Sequence, residues 1–249
     1  MAGFADHFSS VARGYAAFRP RYPDALFAAL AHAAPSRAAV WDCGCGSGQA
    51  SVALAAYFDR VHATDASAQQ ISQAQPHERV AFHVAPAELS GLADSSVALV
   101  TVAQALHWFD VDAFHAEAQR VLTPAGVIAE WCYTLLDVPM VPAVANVVNA
   151  LDARLTSWWP PQRRHVDARY DDLAFPFARV AIGEFAMEAL WTVAQLAGYV
   201  ATWSAVTRFR AANGVDPMVE FGRELAATWG SAERLLIRWP LVLRVGRVS

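Results

Sequence analysis

The stretch that decides the fold is a glycine-rich loop, Asp42-Cys43-Gly44-Cys45-Gly46-Ser47-Gly48. Glycine stands at every second position after an acidic residue, and only glycine lets the main chain turn this tightly while it contacts a ligand. Val40 and Trp41 before the loop predict a short buried strand. Residues 50–57 after it predict a helix, because alanine and leucine dominate there. The sequence therefore predicts a strand, a tight loop and a helix in direct succession.

Strand-like and helix-like segments alternate along residues 36–136. The run 97–103 is apolar and largely β-branched, as is typical of a parallel strand covered on both faces. This alternation predicts a doubly wound, mostly parallel α/β sheet that binds its ligand at the carboxyl ends of the strands. The other predicted elements are strands at 60–64, 80–85 and 127–133, helices at 67–75 and 111–122, and a turn at 123–126.

The alternation ends after residue 136. A helix is predicted at 141–155, a strand at 179–187, and helices over 191–233 with an interruption at 213–217. Residues 235–248 predict a closing strand. Tryptophans in this part of the chain predict core packing or the walls of an acceptor pocket, and its arginine pairs predict either solvated faces or clamps for a carboxylate.

Size and charge limit the function. The chain has 249 residues, of which 55% are hydrophobic and 17% charged, enough for one large core. A formal net charge of −4 and an isoelectric point near 6.0 provide no overall attraction for nucleic acid or anionic membranes. We therefore expect no nucleic-acid or membrane partner.

The cysteines and the amino terminus indicate the compartment. Cys43, Cys45 and Cys132 do not form a disulfide framework, and no segment has the apolar length of a signal peptide or membrane span. A cytoplasmic protein is expected. Two thiols inside a glycine loop, without nearby histidine pairs, fall short of a tetrahedral metal site, so no metal is expected.

The polar residues of the loop indicate the kind of ligand. Gln49 occupies the position of the third glycine in the dinucleotide pattern, and Asp42 would repel a pyrophosphate. A zwitterionic or cationic ligand fits better. Asp65 ends the next predicted strand, where a carboxylate can accept both hydroxyls of a ribose.

Five motifs in this order resemble those of the class I S-adenosylmethionine-dependent methyltransferases. The opening segment Tyr15-x-x-x-Arg19-Pro20-x-Tyr22-Pro23 is similar to that of the trans-aconitate methyltransferase-like branch. The five motifs are the glycine loop, Asp65, Ala87-Glu88-Leu89, Gln104-Ala105-Leu106-His107-Trp108-Phe109 and Arg120-Val121-Leu122-Thr123-Pro124-Ala125-Gly126.

The resemblance implies an architecture for the whole chain. It predicts a seven-stranded, Rossmann-like sheet in a single methyltransferase domain over residues 1–249. Residues 1–35 would form N-terminal lid helices, residues 36–136 the cofactor-binding core, and residues 137–240 a helical elaboration that holds the acceptor. The expected assembly is a monomer or a homodimer.

The resemblance also assigns residues to S-adenosyl-L-methionine, with S-adenosyl-L-homocysteine as the product. The glycine loop would hold the methionine part, Asp65 and Ala66 the ribose, and Ala87 and Glu88 the adenine. Gln104 and Ala105 would meet the methionyl carboxylate or amine. Tyr15 and Arg19 would close over the cofactor. The loop residues assigned to it are Asp42, Gly44, Cys45, Gly46 and Gly48.

His107, Trp108 and Tyr15 are the candidate catalytic residues. His107 and Trp108 would face the sulfonium and a small-molecule acceptor, where an aromatic ring stabilises positive charge. A carboxylate acceptor needs no general base, whereas His107 or Tyr15 could assist deprotonation of a phenol or carbon acid. We expect O-methylation of a carboxylate metabolite, with C- or O-methylation of a quinone, phenol or natural-product intermediate as the alternative.

Two other classes of function share parts of this pattern. A nicotinamide oxidoreductase would need the third glycine and a Tyr-x-x-x-Lys relay, and the sequence contains no lysine. A non-catalytic protein that binds S-adenosylmethionine would share every cofactor motif. Turnover on an acceptor separates that class from an enzyme.

Overall fold

A computed structural model describes residues 20–248. Five strands of the amino-terminal half pair in parallel, in the order β3-β2-β1-β4-β5. The order reverses between β1 and β4, and ligands of open α/β sheets bind at such a switch point. The strands are β1 (Ala39–Cys43), β2 (Arg60–Asp65), β3 (Val80–Val84), β4 (Val97–Ala103) and β5 (Leu122–Tyr133).

Helices connect successive strands except β3 and β4, which are joined by a loop. Residues of β4 are buried on both faces of the sheet, as its apolar sequence predicts. Asp110 caps the helix after β4, because its carboxylate accepts from the main-chain N–H of Ala113. The helices of this half are α1 (Asp24–Ala33), α2 (Gln49–Leu54), α3 (Ala68–Ser72) and α4 (Val111–Val121), with a 3-10 turn at Leu106–Trp108.

The carboxyl-terminal part adds helices and three antiparallel pairings. β8 (Leu235–Arg247) pairs along β5, and its other pairings are with β6 (Ala178–Arg179) and β7 (Ala186–Trp191). The remaining helices are α5 (Pro142–Arg154), α6 (Arg163–Asp167), α7 (Val193–Ala201), α8 (Ser204–Asn213) and α9 (Met218–Trp229), with a 3-10 turn at Thr156–Trp158.

The structure confirms the predicted class of fold and corrects its details. The sheet has eight strands rather than seven, because the first half of the 13-residue β8 extends past β5 and pairs with β7. The predicted strand at 179–187 is divided between β6 and β7. The elaboration predicted as helical at 137–240 therefore also contributes strands to the sheet.

The predicted turn at 123–126 is also corrected, since these residues lie inside β5. Val97 pairs with Leu122 and Leu99 with Val127, so the extra residues bulge out of the ladder between the two pairs. Ala125 there has a φ of 60°, which explains why the stretch has the composition of a turn.

Alternate residues of β5 serve opposite faces of the sheet. Trp131 and Tyr133 belong to the larger apolar core, which the carboxyl-terminal helices cover, whereas Ile128 and Cys132 belong to the second core. Glu130 lies directly opposite Arg244 of β8, and both side chains are buried. A charged pair thus lies inside the sheet assembly, at the second face.

Candidate functional site

The glycine loop after β1 has the conformation that its sequence predicts. Gly44, Gly46 and Gly48 have φ values of 66°, 55° and 89°. A Cβ at Gly44 would lie 2.6 Å from the Cβ of Ala105, and one at Gly48 would lie 2.7 Å from the Phe82 ring. Among residues 20–248, a Cβ at Gly46 would meet only the Gln70 side-chain oxygen, at 3.7 Å. Packing therefore requires two of the glycines, and the described part of the chain leaves the space over Gly46 open for a ligand.

Asp42 supports the loop from within the protein. Its carboxylate is fully buried and accepts hydrogen bonds from Ser51 Oγ (2.5 Å) and Thr101 Oγ1 (2.8 Å). Burial raises the pKa of Asp42 to about 6 although both hydroxyls stabilise the charged form, and the nearby charge of Asp65 raises it further. In this arrangement Asp42 ties β1 to α2 and β4, and its contact with a cofactor stays a prediction.

Asp65, at the end of β2, holds the loop from the side. One carboxylate oxygen accepts from the main-chain N–H of Gly46 and the other from that of Ser67, both at 2.8 Å. Carboxylate oxygens can each accept more than one hydrogen bond, so ribose hydroxyls can share them. The sequence predicted this carboxylate for a ribose, and the structure places it against Gly46.

The predicted adenine side lies along the same edge of the sheet. Ala87 is buried in one apolar cluster with Ala105, and Ala66, next to Asp65, is exposed. Glu88 accepts a hydrogen bond from the main-chain N–H of Asp110 at 2.9 Å, which joins this segment to the start of α4. The open glycine loop, a carboxylate beside it and an apolar wall fit an adenosyl and methionyl group. Their individual contacts with it remain proposals.

Gln104 ends β4 in a strained main-chain conformation, with a φ of 57°. Its side-chain oxygen accepts from the Tyr133 N–H (2.8 Å), and its side-chain nitrogen donates to the Tyr133 carbonyl (3.3 Å). The side chain thus continues the pairing of β4 with β5. The Gln104 main-chain N–H already donates to the Trp131 carbonyl (2.8 Å), whereas the side-chain amide keeps a second N–H. Contact of Gln104 with the methionyl group stays a prediction.

His107 and Trp108 follow on the 3-10 turn, with ring centroids 5.0 Å apart. The Nδ1 atom of His107 lies 3.0 Å from the hydroxyl of Tyr170, a residue that the sequence analysis did not identify. Burial lowers the pKa of His107 to about 3, and the neighbouring His165 and Arg163 side chains lower it further. His107 is therefore neutral and weakly basic at physiological pH.

The carboxyl-terminal elaboration reaches the site through α6, which packs against the 3-10 turn of His107. Arg163 of α6 lies over the Trp159 ring, 4.2 Å from its centroid, and forms ion pairs with Asp152 and Asp167. This arginine is thus committed to structural contacts. The aromatic residues Trp191, Trp203, Trp229 and Trp239 are buried in the larger core, so they serve packing more than pocket walls.

Sequence reasoning found the loop and missed the residues that brace it. Nothing in a single sequence distinguishes buried hydroxyls or a remote tyrosine from others of their type. Tyr15 and Arg19, predicted to close over the cofactor, lie outside the described residues. The supporting residues first revealed by the structure are Ser51, Gln70, Phe82, Thr101 and Tyr170.

Residues 20–248 contain neither a metal-binding cluster nor a membrane-spanning helix. This part of the chain contains no group of three or more His, Cys, Asp or Glu side chains arranged to hold a metal ion. None of its helices combines the length and apolarity needed to cross a bilayer.

Comparison with known proteins agrees with this geometry. Residues 41–129 match the family model described as a methyltransferase domain. The solved structure of a candidate type II methyltransferase from Anaeromyxobacter dehalogenans is 47% identical in sequence, with a TM-score of 0.86. The match covers 92% of this chain and 98% of that one. Similarity at this level over nearly the whole length extends to the elaboration as well as to the core.

More distant relatives share the fold. A candidate methyltransferase of Dictyostelium discoideum is 29% identical over 96% of this chain and 94% of its own length. A structure from Anabaena variabilis, described as a candidate methyltransferase of an antibiotic biosynthesis pathway, has 20% identity and a TM-score of 0.52. That match covers 88% of this chain and 98% of the other, and it shows the fold alone. The chain belongs to the class I S-adenosylmethionine-dependent methyltransferases.

Proposed function

We propose that this methyltransferase acts on a small-molecule carboxylate and forms a methyl ester. The observation that carries the proposal is the enclosure of the His107 ring, whose Nδ1 lies 3.0 Å from the buried Tyr170 hydroxyl; burial lowers the pKa of His107 to about 3. A general base works best when its pKa lies near the operating pH, so His107 is poorly suited to deprotonate a phenol or carbon acid. A carboxylate is already ionised and needs no base.

Two arginines near the same turn support an anionic acceptor. Within residues 20–248, Arg164 and Arg169 form no ion pair with a carboxylate, unlike Arg163 next to Arg164. Burial raises the pKa of the Cys132 thiol, at the carboxyl end of β5, to about 12, and the positive charges of Arg244 and Arg169 oppose that rise. Positive charge near the strand ends would attract a carboxylate and orient it.

The residues of this chain contribute alignment rather than covalent chemistry. When bound, S-adenosylmethionine supplies an electrophilic methyl group and becomes S-adenosylhomocysteine. We propose that residues 36–136 hold this cofactor, while residues 137–240 and the amino-terminal segment enclose the acceptor within one domain. Trp108 would present an aromatic face to the sulfonium. Fixing two reactants in an in-line geometry removes much of the entropic barrier.

Chemical lability of the product tests the proposal. The purified protein is incubated with S-adenosylmethionine labelled in its methyl group and with panels of carboxylic acids and phenols. A methyl ester releases labelled methanol in alkali, whereas a methyl ether or a C-methyl product does not. We expect alkali-labile label from at least one carboxylic acid, and none with Asp65→Ala, which lacks the loop carboxylate.

The other outcomes of this assay identify the alternatives. Alkali-stable label on a phenol or quinone would replace the proposed function with C- or O-methylation of an aromatic acceptor. Cofactor binding without labelled product from any panel would favour a non-catalytic S-adenosylmethionine-binding protein. Either outcome overturns methyl-ester formation.

The raised pKa of Asp42 predicts that cofactor binding depends on pH. Because this pKa is about 6 in the free protein, Asp42 is ionised at pH 7.5 and mostly protonated at pH 5. The ionised form attracts a cationic ligand, so binding favours release of this proton. We expect the Kd for S-adenosylmethionine to be up to about tenfold higher at pH 5 than at pH 7.5 by calorimetry.

The matched variant for this measurement is Asp42→Asn. It keeps the shape of the side chain that Ser51 and Thr101 contact, but it cannot ionise. Its Kd should change little between the two pH values. A wild-type Kd that is equal at pH 5 and pH 7.5 would contradict the assigned role of Asp42.

A further inference from the structure

A buried arginine holds the segment that carries Tyr170. Arg244 of β8 is almost fully buried, and each of its five N–H groups has an acceptor. Nε and one N–H of Nη2 donate to Glu130 Oε2, at 3.1 and 2.6 Å. The other three N–H groups donate to the carbonyls of Tyr170, Leu173 and Ala174, at 2.6, 2.8 and 3.2 Å. Arg244 therefore fixes the main chain of this segment against the sheet.

The acceptor of Arg244 is itself fixed. The second oxygen of Glu130 lies 2.6 Å from Nε2 of His115 on α4, and both side chains are buried. The chain of contacts thus runs from α4 through β5 and β8 to the segment after α6. Within residues 20–248, His115 Nδ1 at the far end of this chain is buried without a hydrogen-bond partner. The Arg244–Glu130 part of the network is fully bonded, and it rigidifies the segment that it holds.

The segment held in this way has an unusual backbone. Arg169 and Tyr170 have consecutive φ values of 57° and 63°, in the left-handed region that side chains other than glycine rarely adopt. Strain of this kind persists only where surrounding contacts determine the conformation, and it is concentrated at functional sites. The contacts of Arg244 hold Tyr170 in this main-chain conformation.

The hydroxyl of Tyr170 is the donor in its hydrogen bond with His107. The Tyr170 side chain is fully buried, so its hydroxyl proton needs a protein acceptor. Among residues 20–248, His107 Nδ1 is the acceptor in reach, at 3.0 Å. If Nδ1 carried the imidazole proton instead, the buried hydroxyl proton would have no acceptor. Tyr170 therefore donates, and the proton of neutral His107 resides on Nε2.

We propose that Tyr170 is a positioning residue that fixes His107 as an Nε2–H hydrogen-bond donor to a carboxylate oxygen of the acceptor. The identity of that oxygen rests on the proposed function. The tautomer and its control by Tyr170 rest only on the contacts of these two side chains. His107 thereby orients an ionised acceptor and takes no proton from it.

Nitrogen NMR of histidine-labelled protein tests this inference without turnover. His107 is assigned from the signal missing in His107→Gln, and its two ring nitrogens report the tautomer. We expect the Nε2–H tautomer in the wild type and a mixture of both in Tyr170→Phe, which removes only the hydroxyl. The control is Tyr57→Phe, which removes another bonded hydroxyl, that to Asp24, and should match the wild type.

Benzoate, with S-adenosylhomocysteine present, then serves as a carboxylate probe. In the wild type, benzoate should shift the His107 Nε2–H signal. Its Kd should rise about fivefold in Tyr170→Phe, the size expected for one hydrogen bond. A wild-type Nδ1–H tautomer, or an unchanged tautomer in Tyr170→Phe, would overturn the inference. Loss of methyl-ester formation with these NMR results intact would overturn the proposed function alone.

Discussion

Arg244→Met is expected to lower the free energy of unfolding by about 3–5 kcal/mol, since it leaves the buried Glu130 carboxylate without its cation. Three carbonyls of the segment 170–174 lose donors at the same time. Chemical denaturation monitored by tryptophan fluorescence measures the change. Arg244→Lys should also lower the free energy of unfolding, because the three donors of lysine cannot replace the five that Arg244 uses.

A double variant separates the charge effect from loss of packing. Adding Glu130→Leu to Arg244→Met removes the stranded carboxylate, so part of the lost stability should return. The double variant still lacks the donors to the 170–174 carbonyls and should not reach the wild type. A single-variant loss below about 1 kcal/mol would mean that water replaces the guanidinium, and that the network does not hold the segment.

The second large effect is expected on cofactor binding. Gly46→Val should weaken binding of S-adenosylmethionine at least about 100-fold, equivalent to about 2.7 kcal/mol. A β-branched residue strongly disfavours the φ of 55° at this position, and its side chain would enter the space left open over the loop. Calorimetry with S-adenosylmethionine and S-adenosylhomocysteine measures the loss.

Gly222→Val is the matched control for this experiment. Gly222 lies on α9, where an added Cβ meets no atom of residues 20–248 within 4 Å, so the same change there should leave the Kd unaltered. Circular dichroism establishes that both variants are folded. Folded Gly46→Val protein with wild-type affinity would show that the open space over Gly46 is not the cofactor site.

The parallel core could be predicted because its signals are local. β4 occupies Val97–Ala103, the range that its apolar run predicts, and α4 ends within one residue of its predicted end. The predictions were wrong where pairing between strands that are distant in the sequence decides the structure. β7 exists because the long β8 offers it an edge, and the bulge at 123–126 depends on the register with β4.

In the candidate site, too, residues in local motifs could be predicted, and residues that meet through long-range contacts could not. Gly44, Gly46 and Asp65 lie in recognisable motifs, and the structure brings them together at the end of β1 and β2. Glu130 and Arg244 are separated by 114 positions in the sequence and meet only because β5 and β8 pair. Tyr170 has no local signal of its role, since its contact with His107 depends on that long-range network.

We propose that this enzyme aligns an acceptor that is already ionised and uses no general base. The most direct test is the rate of methyl-ester formation at saturating S-adenosylmethionine between pH 7 and pH 9. Both the carboxylate and neutral His107, with its pKa near 3, keep one protonation state across this range. We therefore expect the rate to be independent of pH over this range. A rate that rises about tenfold per pH unit would show that a proton must be removed before transfer, and would contradict the proposal.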